Sequence, residues 1–144
     1  MTHLNYASTV YDGCSRDIFL QLNSLHRRAV KHLNQDATLT TDEKLRSLNI
    51  LPLEKHFQFN KTLLIHKVYN EKTPSYLNTL IVKATERYDS KNLILPNTRI
   101  DLYKASFSFS GALAWNNLPD SLKTISSTNV FKKQVFSLFL NGIL

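Results

Sequence analysis

Apolar residues recur along the first part of the chain at the spacing of a helix. Between Ser15 and Leu33, the residues Ile18, Leu22, Leu25, Ala29 and Leu33 follow one another at three- and four-residue steps. That spacing places them on one face of an amphipathic helix. Ser15 suits its N-cap, and Asp17 suits its first turn. Arg27, Arg28 and Lys31 lie off the apolar stripe near the C-terminal half, where they also complement the helix dipole. The pattern predicts a helix with a buried apolar face and a basic face turned to solvent or to phosphates.

Further helices follow after short polar breaks. Asn34–Thr40 reads as a loop, and Thr41-Asp42-Glu43 opens a short helix to Leu48 with Thr40 or Thr41 as cap. Pro52 opens the longest expected helix, to about Tyr69, with Leu53, Phe57, Leu64 and Val68 in one stripe and Phe59, Leu63 and Ile65 widening it. Lys55, Lys61 and Lys67 stand six residues apart, so they drift around that helix and form no single row. Pro74 opens another short helix to about Val82.

The segment 83–98 is polar and reads as a surface loop, with a short strand at Leu93–Leu95. Arg99–Tyr103 alternates apolar and polar residues, as does Ala105–Phe109. The two are expected to pair as a hairpin-like ribbon bent near Lys104, with Phe107 and Phe109 on one face. Ser110 and Gly111 then turn the chain into a brief helix carrying Leu113, Ala114 and Trp115; Asn116 and Asn117 close it, and Pro119 starts the next. A final helix is predicted over Asn129–Leu140, capped by Ser127 or Thr128 and burying Phe131, Val135, Leu138 and Phe139. The expected fold class is mainly α: a small helical bundle with a short β-hairpin-like ribbon before the C-terminal helices. Residues 1–82 form its helical part, 83–98 a linking loop and 99–144 the ribbon, Trp turn and last helix, together one compact domain.

Composition narrows the functional classes. At 144 residues and 42% hydrophobic content the chain can bury a core. No apolar run reaches the ~18 residues of a membrane span, and Met1–Tyr11 lacks the pattern of a signal peptide. An intracellular protein, in cytoplasm or nucleus, is expected. Cys14 is the single cysteine, which excludes an internal disulfide and suits a reducing compartment. The formal charge of +7 favours anionic partners, nucleic acid first among them. The middle of the chain, residues 51–100, is its most basic part.

Residues that could carry chemistry have simpler readings. Cys14 has no nearby histidine or basic cluster in sequence and reads as a small buried hydrophobe. His26 and His32 are six apart, the wrong spacing for a metal site on one helix face, and read as surface or helix-end residues. Ser108, Ser110 and Gly111 do not form a nucleophile elbow. The one tryptophan, Trp115, could stack on a base, but apolar neighbours make it a core residue. Three glycines are too few for a phosphate-cradling loop. No catalytic residue, metal ligand or cofactor is assigned, and no small-molecule substrate or membrane partner is expected.

Five blocks, in order, carry a resemblance. They are His3-Leu4-Asn5-Tyr6 with Cys14-Ser15; Leu25-His26-Arg27-Arg28-Ala29-Val30-Lys31; Leu51-Pro52-Leu53-Glu54; Lys67-Val68-Tyr69-Asn70; and Gly111…Trp115-Asn116-Asn117-Leu118-Pro119 followed by Phe131-Lys132-Lys133. Together they resemble the last part of the reverse transcriptase of non-LTR (LINE-like) retrotransposons of the jockey and chicken-repeat kind. Thr2 stands where the family has proline. The Tyr-X-Asp-Asp box of the family's catalytic palm has no counterpart in this sequence. The resemblance therefore implies the thumb and tail region after the palm, without catalytic aspartates and so without polymerase activity of its own. It implies nucleic acid (RNA, DNA or a hybrid) as partner and the palm itself as a second one.

On this reading Arg27, Arg28 and Lys31, with Lys55, Lys61, Lys132 and Lys133, neutralise phosphates, while Gly111, Trp115, Asn116, Leu118 and Pro119 form a structural motif. The alternatives are a protein-interaction module with an apolar patch, or a decayed element fragment with no nucleic-acid role.

Overall fold

The computed structural model describes residues 8–11, 13–85 and 91–142. Among them the helices run α1 (Ser8–Tyr11), α2 (Arg16–Leu33), α3 (Thr41–Ser47) and α4 (Leu53–Tyr69), followed by a 3-10 helix (Ser75–Leu80). Two short strands follow, β1 (Val82–Lys83) and β2 (Leu93–Ile94), and then α5 (Asp101–Lys104), α6 (Phe107–Asn116), α7 (Asp120–Lys123) and α8 (Thr128–Leu140). The molecule is thus mainly helical, with a two-stranded antiparallel ribbon ahead of the C-terminal helices.

Helix α4 is the axis of the packing: α1, the 3-10 helix, α6 and α8 all pack on it. Pro52 stands at its N-cap, where the missing N–H costs nothing. Leu53, Phe57, Phe59, Ile65 and Val68 are buried, and so are Lys61, Thr62 and His66. These positions cover well over half of the helix circumference, as expected of a central helix and not of a surface one. The main core gathers Phe59, Ile65 and Val68 of α4 with Ala112 and Trp115 of α6, Leu118, Leu122, and Phe131, Val135 and Phe139 of α8. Toward the start of α4, Val30, Leu45, Leu53 and Phe57 are buried as well, and the Phe19 and Phe57 rings meet edge to face at 6.3 Å.

Gly111 sets how closely α6 approaches α4. A Cβ at this position would stand 2.9 Å from Ile65 Cδ1 and 3.1 Å from Ile65 Cγ1. Helix α3 is fixed by a capping box: Glu43 Oε2 accepts the Thr40 backbone N–H at 2.7 Å, and Thr40 Oγ1 accepts the Glu43 N–H. The hydrogen bonds from the Thr40 hydroxyl and then its backbone hold the Glu43 carboxyl below its ordinary value.

The ribbon does not lie where alternation in the sequence placed it. Val82 pairs with Ile94 and Lys83 with Leu93, so the strand expected at Leu93–Leu95 forms at Leu93–Ile94 and finds its partner where the preceding short helix was expected to end. Arg99–Phe109 is instead helical in two pieces, α5 and the start of α6. The reason is visible in the four-residue steps Phe107, Gly111 and Trp115, which turn one side of a helix toward the core, with Ser106 at the N-cap in extended geometry. Ile100 and Tyr103 face solvent, so the alternation of that segment has no buried face behind it.

Helix α2 has the expected extent, and at 18 residues it is longer than α4 at 17. Its buried residues are His26 and Val30; Ile18, Leu25, Ala29 and Leu33 are exposed and Leu22 is half-buried. The helix is rotated so that the stripe beside the predicted one packs inward. His26 is consequently a core residue and not a surface one. Cys14 is half-buried.

Candidate nucleic-acid interface

The basic residues proposed to meet phosphates separate into three situations. Arg27, Arg28 and Lys31 are exposed on α2 and come together around one open hollow of about 320 Å³, which Leu20, Asn23 and Ser24 complete. Three cations within two turns of a rigid helix, beside an amide and a hydroxyl, form a surface that can accept several phosphate oxygens at once. Arg27 also pairs with Asp42 of α3 at 3.6 Å, with both side chains largely exposed. Such a pair contributes about 0–1 kcal/mol and exchanges readily for another anion.

Lys132 and Lys133 are exposed on α8, next to a wider open hollow that Asn129 and Phe136 share with them. Helix α8 packs on α4 and α7, whereas α2 packs on α3.

Lys61 is a correction. It is only 6% exposed, and its Nζ donates to Ser110 Oγ at 3.0 Å, which ties α4 to α6. It lies at a cleft of about 310 Å³ between these helices, beside Gln58, Leu113 and Asn117. A lysine held there bridges two helices, unlike the exposed cations of α2 and α8. Lys55 is half-buried, while Lys67 is exposed, so the six-residue drift around α4 indeed scatters the three lysines.

The Trp block is a clamp on the ribbon. Trp115 is fully buried, so its face is closed to any base. Its indole stacks on Tyr69 at 4.8 Å, and its Nε1–H donates to the Lys91 carbonyl at 2.9 Å. Asn116 Oδ1 accepts the Leu93 N–H at 2.8 Å, and Asn116 Nδ2 donates to the Leu93 carbonyl at 2.9 Å. The Lys123 ammonium, buried beneath, donates to Asn92 Oδ1, the Asn116 carbonyl and Asp120 Oδ1 at 2.8, 3.1 and 3.1 Å. Leu118 packs in the same core, and Pro119 stands at the N-cap of α7. Lys123 was not singled out by its sequence, where it resembles any other lysine of an amphipathic turn.

Three histidines have their imidazoles shifted toward the neutral form, each chiefly by burial. The Arg27 charge adds to the effect at His26, and His26 adds to it at His56. His66, stacked at 4.0 Å on Phe131, has its Nε2 2.6 Å from the Ile125 carbonyl, so Nε2 carries the proton. Its Nδ1 is buried with no hydrogen-bond partner.

Among the described residues no group of three or more His, Cys, Asp or Glu side chains is placed to hold a metal ion. No helix of the described residues is long and apolar enough to cross a membrane. The first block of the resemblance, His3–Tyr6, lies outside the described residues. Comparison with protein-family models, with curated proteins and with solved structures finds no match.

Proposed function

We propose that this chain binds nucleic acid through its phosphate backbone, without catalysing a reaction on it, and that it corresponds to the region after the palm of a non-LTR retrotransposon reverse transcriptase. The observation that carries the binding reading is the meeting of Arg27, Arg28 and Lys31 around one exposed hollow on α2. The net charge of +7 supports it. Lys132 and Lys133 form a second, separate basic patch. Recognition of this kind follows charge and backbone spacing and reads little sequence, since base-edge contacts are what specify.

The family reading is supported by the ordered blocks of the sequence and by the joint role of Trp115, Asn116, Leu118 and Pro119 in one packing unit. It makes the bound species a template–product duplex held for a palm supplied elsewhere. Sequencing the coding region upstream of residue 1 tests this part: a frame that runs into a Tyr-X-Asp-Asp box supports it, and one that lacks the box removes it.

The binding reading is tested by titrating the whole chain against an RNA–DNA hybrid and a DNA duplex at several salt concentrations. The affinity is expected to fall steeply as salt rises. Arg27→Ala combined with Arg28→Ala, at two exposed positions, is expected to leave the melting curve unchanged. It should weaken binding and flatten the slope of log K against log salt by about 2, as expected when two phosphates are no longer neutralised. An unchanged slope would mean that α2 is not the interface.

A further inference from the structure

Helix α2 separates apolar from polar positions more sharply than α4, α6 or α8, yet part of its apolar side is not covered. It is held to the molecule through Phe19, His26 and Val30. Beside these, Ile18, Leu25 and Leu33 are 52%, 56% and 66% exposed, and Ala29 is exposed between them. With half-buried Leu22 they make a ladder with steps of four, three, four and four residues, running about 22 Å along the helix. Isolated exposed apolar side chains are ordinary on a protein surface, but a continuous row of them is not. The steps are those by which one helix seats against another.

The border of this ladder is polar and basic. Exposed Gln21, Arg28 and His32 follow it, Gln21 four residues before Leu25, Arg28 three after it and His32 four after Arg28. Over its whole length α2 carries Arg16, Arg27, Arg28 and Lys31 against the single acid Asp17. A second copy of the chain would bring the same positive helix against this one, a like-charge arrangement. A phosphate backbone offers nothing to the leucines. The complementary surface is an apolar stripe bordered by carboxylates.

We infer that the exposed ladder of α2 is the docking site for an amphipathic helix of a protein partner, whose apolar stripe is flanked by glutamate or aspartate. The leucines and Ile18 seat the partner's apolar residues, and Arg28 receives a flanking carboxylate. This inference uses the apolar face of α2, shares Arg28 with the phosphate-facing hollow beside it, and does not depend on nucleic-acid binding.

The test uses the whole chain and two labelled designed peptides of about three heptads each, both with leucine at the apolar heptad positions. One has glutamate at the flanking positions and its twin has lysine, so like charge discourages either from pairing with itself. In fluorescence anisotropy the glutamate peptide is expected to bind at least about tenfold more tightly than the lysine peptide. Leu25→Asp should abolish that binding while the melting curve stays in place, because Leu25 is mostly in solvent. Arg28→Glu should shift the preference toward the lysine peptide. The inference is overturned if neither peptide binds or if Leu25→Asp leaves binding unchanged. It is equally overturned if sedimentation shows a dimer that Leu25→Asp dissociates, which would assign the ladder to a second copy. Loss of duplex affinity in Leu25→Asp, with peptide binding intact, would assign it to nucleic acid.

Discussion

The side chain of Asn116 and the backbone of Leu93 exchange two hydrogen bonds, one in each direction, across 23 residues of chain. An asparagine amide has the donor and acceptor spacing of a peptide unit, so Asn116 acts as one more strand neighbour to β2. The adjacent Trp115 fixes Lys91 by its indole N–H. The Trp-Asn pair thus joins the C-terminal helices to the ribbon, and a close replacement such as leucine or aspartate cannot keep both bonds.

Asn116→Ala is expected to lower stability by about 1–3 kcal/mol, since it leaves Leu93 N–H and C=O without their partner in a half-buried place. Urea unfolding measures the loss, and hydrogen exchange at the Leu93 amide should accelerate more than at the core of α4. Trp115→Ala should cost more, ~3–5 kcal/mol, the range for a buried large aromatic. A variant that melts within a degree of the parent would show that the indole does not support the core.

Gly111→Ala sets two effects against each other. Alanine favours a helix over glycine by about 1 kcal/mol. The new methyl, however, would lie 2.9 Å from Ile65 Cδ1, and Ile65 is completely buried with little room to turn away. The steric cost of inserting a methyl into a packed core is about 1–3 kcal/mol, so the expected net effect is destabilising. Ile65→Val removes that Cδ1. The double variant should therefore lose less than the two single losses added together, and a purely additive result would contradict the close approach.

Stability should fall on mild acidification. His66, His26 and His56 all have their protonated form disfavoured in the folded protein, first by burial. The unfolded chain then binds more protons than the folded one below the ordinary histidine value of 6.5, so the free energy of unfolding rises with pH across that window. The contribution is complete above that value and is lost as pH falls below it toward the lowered folded values. Urea midpoints between pH 7.5 and pH 5 measure it. Proton NMR should show the His66 ring still neutral just below the ordinary histidine value of 6.5.

Lys61 and the α2 arginines are expected to separate in a binding experiment. Lys61→Met keeps most of the buried stem and loses the bond to Ser110. It should lower the melting temperature while duplex affinity changes by less than about twofold, well under 1 kcal/mol. Arg28→Ala should do the reverse. Equal losses of affinity in both variants would return Lys61 to the interface.

The two helices that are most legible from sequence differ in an instructive way. Helix α8 shows its buried face, Phe131, Val135 and Phe139, by simple four-residue steps, and the capping box of α3 is written in Thr40 and Glu43. Helix α2 is equally legible in extent but not in orientation. Periodicity shows that an apolar stripe exists, not what covers it, and here the neighbouring stripe with His26 and Val30 packs inward. The Phe-Ser alternation before Gly111 fits a strand locally, and only packing against Ile65 decides for a helix. Lys61 shows the same limit within the candidate site. Charge is visible in a sequence, but its burial depends on α6, which arrives 49 residues later. The cluster of Arg27, Arg28 and Lys31 was visible because one helix carries all three. The clamp of Asn116 on Leu93 had no visible partner.

The wrapping of α4 has a dynamic consequence. Elements from both halves of the chain pack on this helix, and Ile65 and His66 in its C-terminal half are fully enclosed. Local fluctuations can release α2 or the ribbon, but water reaches this part of α4 only when partners on several sides leave together. The amides of Ile65 and His66 should therefore exchange by global opening, at a rate that reports the stability of the whole molecule.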